Sequence, residues 1–257
     1  MGRTIAGHTL HRSIGQGAFA KVYLSTKGKD EDKHYAAKVT NLTRVPPGFL
    51  PRIKAEAVIL EQLNHPHIIE YYGFTLSLKI KRAVLIMGFA EGGSIEQYTL
   101  PGESRLAESQ VVDVLKCVSQ ALAYIHKRHI THCDLKPDNI LLATPGDFTS
   151  VRLADFGISQ QSKLRLKVPC GTAQYCAPEI FLEPCRFGPP VDIWALGIIV
   201  LQLLMAAHPF PELKDKNFED VYRKPKLVDR VHSFSLKKSH PASKLCTPQL
   251  FEAARHM

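Results

Sequence analysis

The hydrophobic periodicity of the chain changes near residue 91, and this change predicts two lobes. Before that point the apolar residues favour short β-strands, at 11–14, 20–25, 35–40, 69–76 and 83–87. One amphipathic helix is predicted among them, at 51–63, with Ile53, Ala57, Leu60 and Leu63 along one stripe. We therefore expect the first lobe, about residues 10–90, to be an antiparallel sheet that carries one helix.

After residues 91–93, Glu-Gly-Gly, the period becomes helical. One helix is predicted at 109–126, and a second at 191–205 is apolar nearly all round, as buried helices are. The expected buried face of the first of these helices is Val112, Leu115, Val118 and Leu122. The sequence thus predicts a bilobal α+β fold with a mainly helical second lobe and a ligand cleft between the lobes.

The composition excludes several classes of protein. Among 257 residues, 45% are hydrophobic and 22% are charged, which is globular and argues against disorder, collagen and coiled coils. The net charge of +9 comes from basic residues spread along the chain, so we expect no nucleic-acid partner. The longest apolar run, 193–207, is shorter than the roughly 20 residues of a spanning helix, so we expect no membrane partner.

The six cysteines show no C-x-x-C pair and no Cys/His spacing that suits zinc. They are Cys117, Cys133, Cys170, Cys176, Cys185 and Cys246. The N-terminal residues also lack the apolar core of a signal peptide. We interpret the cysteines as reduced thiols and expect a cytoplasmic or nuclear protein.

A glycine-rich turn is predicted between the first two strands, around Gly15 and Gly17. Without a Cβ atom, glycine lets backbone N–H groups approach phosphate oxygens closely. A Gly-x-Gly turn alone is more typical of an ordinary hairpin, and Ala20 stands where a Gly-x-Gly-x-x-Gly loop has its third glycine. The turn indicates a phosphate site only in combination with the motifs that follow it.

Lys38 lies in the apolar stretch 35–39, which is predicted to be a strand. A buried ammonium group needs an anionic partner, because an unpaired charge is costly away from water. Glu56, on the inward side of the predicted helix, is the candidate partner. A lysine on an edge strand would point to solvent instead, but alternation places Lys38 on the same face as Ala36, which favours the buried orientation.

The strongest motif is HCDLKPDN at 132–139, which is followed by Asp155-Phe156-Gly157. It gathers two carboxylates, a lysine and an amide in one loop. Asp134 and Asn139 are five residues apart, and Asp155 comes sixteen residues after Asn139. Chance does not readily produce these residue types in this order and spacing.

With these motifs the chain resembles the eukaryotic serine/threonine protein kinase family. Residues 176–179 are similar to the family's Ala-Pro-Glu motif, and 192–197 to the start of its central C-lobe helix. The resemblance implies a single kinase domain over 10–257, with the C-lobe from about residue 91. The implied reaction transfers the γ-phosphoryl group of ATP, with Mg²⁺ as cofactor, to serine and threonine hydroxyls of protein substrates.

The resemblance also implies catalytic and metal-binding roles. Lys38, held by Glu56, would contact the α and β phosphates of ATP, and Asp134 would accept or orient the proton of the substrate hydroxyl. Lys136 would neutralise charge on the transferring phosphoryl group, and it matches the family's serine/threonine pattern, as does Thr172. The residues implied to bind Mg²⁺ are Asn139 and Asp155.

The ATP site implied by the resemblance draws mainly on the first lobe. Adenine would lie between Val22 and Ala36 on one side and Leu141 on the other, next to the gatekeeper Met87. Considered alone, such apolar positions could equally be ordinary core. The complete implied set is Ile14, Gly15, Gly17, Val22, Ala36, Lys38, Met87, Phe89, Ala90 and Leu141.

Two departures from the family pattern bear on function. Cys133 replaces an arginine that in many kinases pairs with a phosphorylated activation loop, so we expect activity to depend little on phosphorylation of Ser159, Ser162 or Thr172. The C-lobe is also shortened after residue 210, and Lys244 stands where the family has an arginine that pairs with Glu179. These departures leave a second hypothesis open, in which the chain is a catalytically weak scaffold of the kinase fold that binds ATP and partner proteins.

Overall fold

A computed structural model gives the fold of residues 3–28, 30–99, 106–164, 166, 170–181 and 184–213. The segments at 227–232 and 241–247, which are similar to the family's closing elements, lie outside the described residues, and Lys244 lies there with them. Among the described residues, no helix combines the length and apolar composition needed to cross a membrane. Cys117, Cys133, Cys170 and Cys176 carry no disulfide.

The first lobe is built on a six-stranded antiparallel sheet. Its strands are β1 (Arg3–Ile5), β2 (His8–Gln16), β3 (Ala20–Lys27), β4 (Asp30–Asn41), β5 (Tyr71–Ser77) and β6 (Arg82–Gly88), in the order β1-β2-β3-β4-β6-β5. Strands β2 to β6 confirm the five predicted strands, and β1 was not predicted. The register sets Lys38 opposite Val22 of β3 and Leu85 of β6, and Ala36 opposite Met87 of β6.

The α-helix found among the described residues of this lobe is α1 (Leu50–Glu61), which has a proline in its first turn. Proline suits that position because its missing N–H would have no partner inside the helix. The helix packs against β5, and Ile53, Ala57 and Leu60 of the predicted stripe are buried. This packing turns Glu56 toward the sheet, where it is 6% exposed.

Two long helices form the centre of the second lobe, α2 (Glu108–His126) and α3 (Pro190–Met205), and they pack on each other. Most of α3 is buried, as predicted. The buried face of α2 agrees in part with the predicted one: Val118 and Leu122 are buried, whereas Val112 and Leu115 are only partly buried. The other buried residues of this helix are Val111, Val114, Cys117, Ala121 and Ile125.

Short strands hold the polar motifs of the second lobe. They are β7 (Gly93–Ser94), β8 (Ile130–Thr131), β9 (Ile140–Leu142), β10 (Val151–Leu153) and β11 (Gln160–Gln161). They pair as β10-β9-β7 and β11-β8. The HCDLKPDN motif therefore lies between β8 and β9, and Asp155-Phe156-Gly157 lies between β10 and β11. Pairing of β8 with β11 and of β9 with β10 brings the two motifs together.

Candidate active site

Lys38 bridges two carboxylates that come from distant parts of the chain. Its Nζ lies 2.7 Å from Oε1 of Glu56 and 2.8 Å from Oδ1 of Asp155. The Lys38 and Glu56 side chains are 19% and 7% exposed, whereas that of Asp155 is 45% exposed. Glu56 is thus the buried anchor of the lysine, and Asp155 is the carboxylate that remains open to a ligand.

The charges of this network support one another. Burial lowers the pKa of Lys38, but the carboxylates of Glu56 and Asp155 outweigh burial and raise that pKa above its ordinary value. Burial raises the pKa of Asp155, yet the charge and hydrogen bond of Lys38 bring it below the usual value. Burial raises the pKa of Glu56, and the attraction of Lys38 offsets only part of that effect. Lys38 and Asp155 are therefore charged at neutral pH.

Asp134 lies in a second network, with Lys136 and Thr172. Its Oδ1 accepts a hydrogen bond of 2.8 Å from the Thr172 hydroxyl, and its Oδ2 lies 3.1 Å from Nζ of Lys136. Lys136 also donates to Oγ1 of Thr172 over 3.1 Å. Burial lowers the pKa of Lys136, and the nearby carboxylate of Asp134 reverses this and raises it. A carboxylate, a cation and a hydroxyl thus meet at one point.

Asp192, in the first turn of α3, holds the backbone of the HCDLKPDN loop, residues 132–139. Oδ2 of Asp192 accepts from the N–H of His132 over 2.8 Å, and Oδ1 accepts from the N–H of Cys133 over 3.0 Å. Nε2 of His126 lies 2.8 Å from the same Oδ2. Cys133, just before Asp134, adopts a left-handed backbone, with φ of 69°.

Asn139 and Asp155 carry side-chain oxygens of the kinds that bind divalent cations. The amide nitrogen of Asn139 donates to the backbone carbonyl of Asp134 over 2.8 Å and to its Oδ2 over 3.3 Å, so the amide oxygen faces away from these contacts. Lys38 and Gly157 both donate to Oδ1 of Asp155, and neither uses Oδ2. One amide and one carboxylate oxygen suit Mg²⁺, which usually takes its other ligands from phosphates and water.

The glycine-rich turn is a tight hairpin between β2 and β3. The N–H of Gly17 donates to the carbonyl of Ala20 over 2.8 Å. A Cβ added to Gly15 or Gly17 would come no closer than 3.6 Å to any other protein atom outside its chain neighbours. The protein's own packing therefore does not require glycine at either position, which favours the interpretation that they leave room for a ligand.

The other residues of the implied ATP site lie on neighbouring strands. Ala36 and Met87 are buried opposite each other on β4 and β6, and Gly15 is opposite Val22 on β2 and β3. Ile14 lies on β2, and Phe89 and Ala90 follow β6 directly. Leu141 is on β9 of the second lobe, so strand pairing does not join it to the others.

Several residues of this site were not predicted to act there. From the sequence, Asp192 is predicted only to start a helix, His126 only to end one, and Thr172 only to bear on specificity, without a contact to Asp134. All three act through tertiary contacts, for which the local sequence carries no signal. Phe156 is 1% exposed and packs edge-on against His132, with 5.0 Å between ring centres.

Comparison with known proteins agrees with this geometry. Residues 8–252 match the protein kinase domain family. The chain is 36% identical over 208 residues to calcium/calmodulin-dependent protein kinase type IV of Homo sapiens and to that of Rattus norvegicus, covering 80% of this chain and 42% of each relative. It is 33% identical over 207 residues to serine/threonine-protein kinase dkf-2 of Caenorhabditis briggsae, covering 79% of this chain and 17% of the relative. The chain thus spans less than half the length of these curated relatives.

Proposed function

The chain belongs to the protein kinase family, and on this premise we propose that it transfers the γ-phosphoryl group of ATP to serine and threonine hydroxyls of protein substrates. The observation that carries the proposal is the position of Lys38, whose Nζ contacts both Glu56 and Asp155 within 2.8 Å. Strand β4, helix α1 and the segment after β10 meet there. A core that only needed to be stable would not require a buried lysine with two carboxylates.

In this proposal Asp134 receives the proton of the substrate hydroxyl. The hydroxyl oxygen forms a bond to the γ-phosphorus, the bond from that phosphorus to the bridging oxygen breaks, and ADP leaves. The ammonium of Lys136, 3.1 Å from Asp134, is placed to offset negative charge on the transferring group. Positioning and electrostatic stabilisation supply most of the rate, because phosphoryl transfer needs little covalent chemistry from the protein.

Lys38 would bind the phosphates of ATP, and its pairing with Glu56 fixes where that charge is presented. Asn139 and Asp155 would hold Mg²⁺. When bound, the metal ion neutralises charge on the phosphate oxygens. Asn139 also positions Asp134 directly, through its two hydrogen bonds to that residue.

Regulation by phosphorylation of the activation loop is proposed to be weak. Ser159 is buried, and its hydroxyl donates to the carbonyl of His132 over 3.0 Å, so it is poorly placed for modification. Cys133 offers no cation to a phosphate group. We further propose a cytoplasmic or nuclear location, because cysteines usually stay reduced in those compartments. Cys117, Cys133, Cys170 and Cys176 carry no disulfide.

The test is turnover of ATP and Mg²⁺ on a mixture of serine and threonine peptides. We expect Asp134→Asn to lose at least about a hundredfold in kcat, since the amide cannot accept the proton. Asp32→Asn, at an exposed position of β4, is the matched control and should keep full activity. A rise in melting temperature on adding ATP shows that each variant is folded. Turnover by Asp134→Asn equal to that of its control would refute the assigned role.

A further inference from the structure

The sheet of the first lobe carries a groove on the face opposite Lys38. Val39 and Asn41 of β4 line this groove, whereas the side chain of Lys38 points to the other face of the sheet, toward Glu56. The groove has a volume of about 580 Å³. Gly17, in the glycine-rich turn, is the one residue that it shares with the implied ATP site. The groove is therefore separate from the proposed site of phosphoryl transfer.

Much of the groove is apolar. Tyr23 of β3 and Val39 of β4 line it, and both side chains are half-buried. They pack against a small hydrophobic cluster that strands β1, β2, β4 and β6 form on this face. Ile5 and Leu10 of that cluster also line the groove. An apolar side chain of a partner can therefore be removed from water here.

The charged residues of the groove are all basic. They are His11 of β2, Lys21 of β3, Arg44 just after β4 and Arg82 of β6, and no residue that lines the groove is acidic. His11, Lys21 and Arg44 are exposed, and Arg82 is partly exposed. Within the part of the chain that the structure describes, none of the four forms an ion pair. The groove thus presents a positive potential that favours an anionic partner.

Arg82 is held in place without being neutralised. Its Nη1 donates to Oδ1 of Asn41 over 2.6 Å and to the carbonyl of Lys81 over 2.9 Å. The same Oδ1 of Asn41 accepts from the N–H and the hydroxyl of Thr43, over 3.2 and 2.9 Å. All these acceptors are neutral, so the guanidinium keeps its charge while its position is fixed. A partner that binds it has less side-chain entropy to overcome.

We propose that this groove docks an acidic segment of a partner protein, with carboxylates on the basic residues and an apolar side chain against Tyr23 and Val39. The cations come from four separate stretches of the chain, and this spread favours a run of carboxylates over a single phosphate group. The aliphatic side chains in the groove favour a peptide over a nucleic acid, whose bases stack on aromatic rings. Arginine and aromatic residues are also enriched in protein interfaces. The site does not depend on the proposed function.

The test measures the binding of a fluorescein-labelled peptide, in which glutamates flank one leucine, to the full chain by fluorescence anisotropy. We expect saturable binding that weakens as salt is added, because salt screens exposed charges. A peptide with serine in place of the leucine should bind about tenfold more weakly, since it loses the apolar contact. A peptide with glutamine in place of every glutamate should not bind measurably.

Two variants of equal net charge locate the binding. Lys21→Glu combined with Arg44→Glu reverses two charges of the groove and should weaken binding at least about tenfold. The matched control combines Lys54→Glu with Lys116→Glu, whose lysines are exposed on α1 and α2. It should stay within about twofold of the parent chain, because its charges lie outside the groove. All four lysine and arginine side chains are exposed, so an unchanged melting temperature is the folding control.

Several outcomes would overturn the proposal. Equal weakening in the two double variants would show that the peptide follows net charge alone. Equal affinity for the leucine and serine peptides, or no saturable binding by the parent chain, would also refute it. Tighter binding of single-stranded DNA, or of a glutamine peptide with a single phosphoserine, lost on reversing Lys21 and Arg44, would assign the groove to that other ligand.

Discussion

Gly157 sets the free space around the Lys38 network. A Cβ at this position would lie 3.1 Å from Oδ1 of Asp155, 3.4 Å from Oε2 of Glu56 and 3.5 Å from Nζ of Lys38. The first of these distances is shorter than an ordinary van der Waals contact, so the carboxylate would have to move. The absence of a side chain at residue 157 therefore lets the three charged groups approach one another.

We expect Gly157→Ala to lower turnover about tenfold or more, because the displaced Asp155 carboxylate would no longer present its oxygen in the same place. The free energy of unfolding should change little, since the backbone at this residue is not left-handed. The measurements are kcat and a urea unfolding curve. Gly188→Ala is the control, because a Cβ there meets no atom within 4 Å. Equal kcat in the two variants would contradict the crowding argument.

At the scale of single residues, the sequence predicted the orientation of those side chains that lie in a regular strand or helix pattern. Strand alternation pointed Lys38 inward, and the helical stripe pointed Glu56 toward it. The contact between Thr172 and Asp134 joins residues 38 positions apart through two loops, and no periodicity constrains loops in that way.

Among the elements, the start of α3 supports the HCDLKPDN loop, residues 132–139. Asp192 is 1% exposed, and its carboxylate accepts the backbone N–H groups of His132 and Cys133. Charged acceptors form the stronger hydrogen bonds, and a buried donor that loses its acceptor carries the full desolvation cost. The loop that holds Asp134 thus depends on a residue of another element.

We expect Asp192→Asn to lower the free energy of unfolding by about 3 kcal/mol, because an amide can replace only one of the two carboxylate oxygens as acceptor. Equilibrium unfolding in urea measures this change. Asp32→Asn, the exposed control, should change the stability by less than about 0.5 kcal/mol. A similarly small change in Asp192→Asn would show that the loop does not depend on this carboxylate.

The longer strands and helices could be predicted because each is long enough to show a strand or helix period in its apolar residues. Strands β2 to β6 and helices α1 to α3 all span at least seven residues. Strand β1 has three residues, too few for alternation to show, and it is held by pairing with β2. On α2, Val112 and Leu115 were predicted to be buried, but their neighbours Val111 and Val114 are buried instead. All four residues are apolar, so the sequence does not show which pair faces the core, and tertiary packing decides it.

At the scale of the whole molecule, the two lobes meet through both apolar and charged contacts. One hydrophobic cluster includes Leu60 of α1 together with Leu122 of α2 and Ile199 of α3. The N–H of Ile69 donates to the carbonyl of Leu153, which belongs to β10 of the second lobe. The ion pair of Lys38 with Asp155 crosses the same boundary. The lobes themselves were predictable from the change of periodicity, whereas the contacts between them were not.

The central claim is that Lys38, placed by both lobes, is part of a phosphoryl-transfer site. The most direct measurement is transfer of labelled phosphate from ATP to serine and threonine peptides by the parent chain, by Lys38→Met and by Lys54→Met, whose lysine is exposed on α1. We predict transfer by the parent and by Lys54→Met, and a loss of at least about a hundredfold in Lys38→Met. Equal transfer by the two variants, or no transfer by a folded parent chain, would contradict the claim.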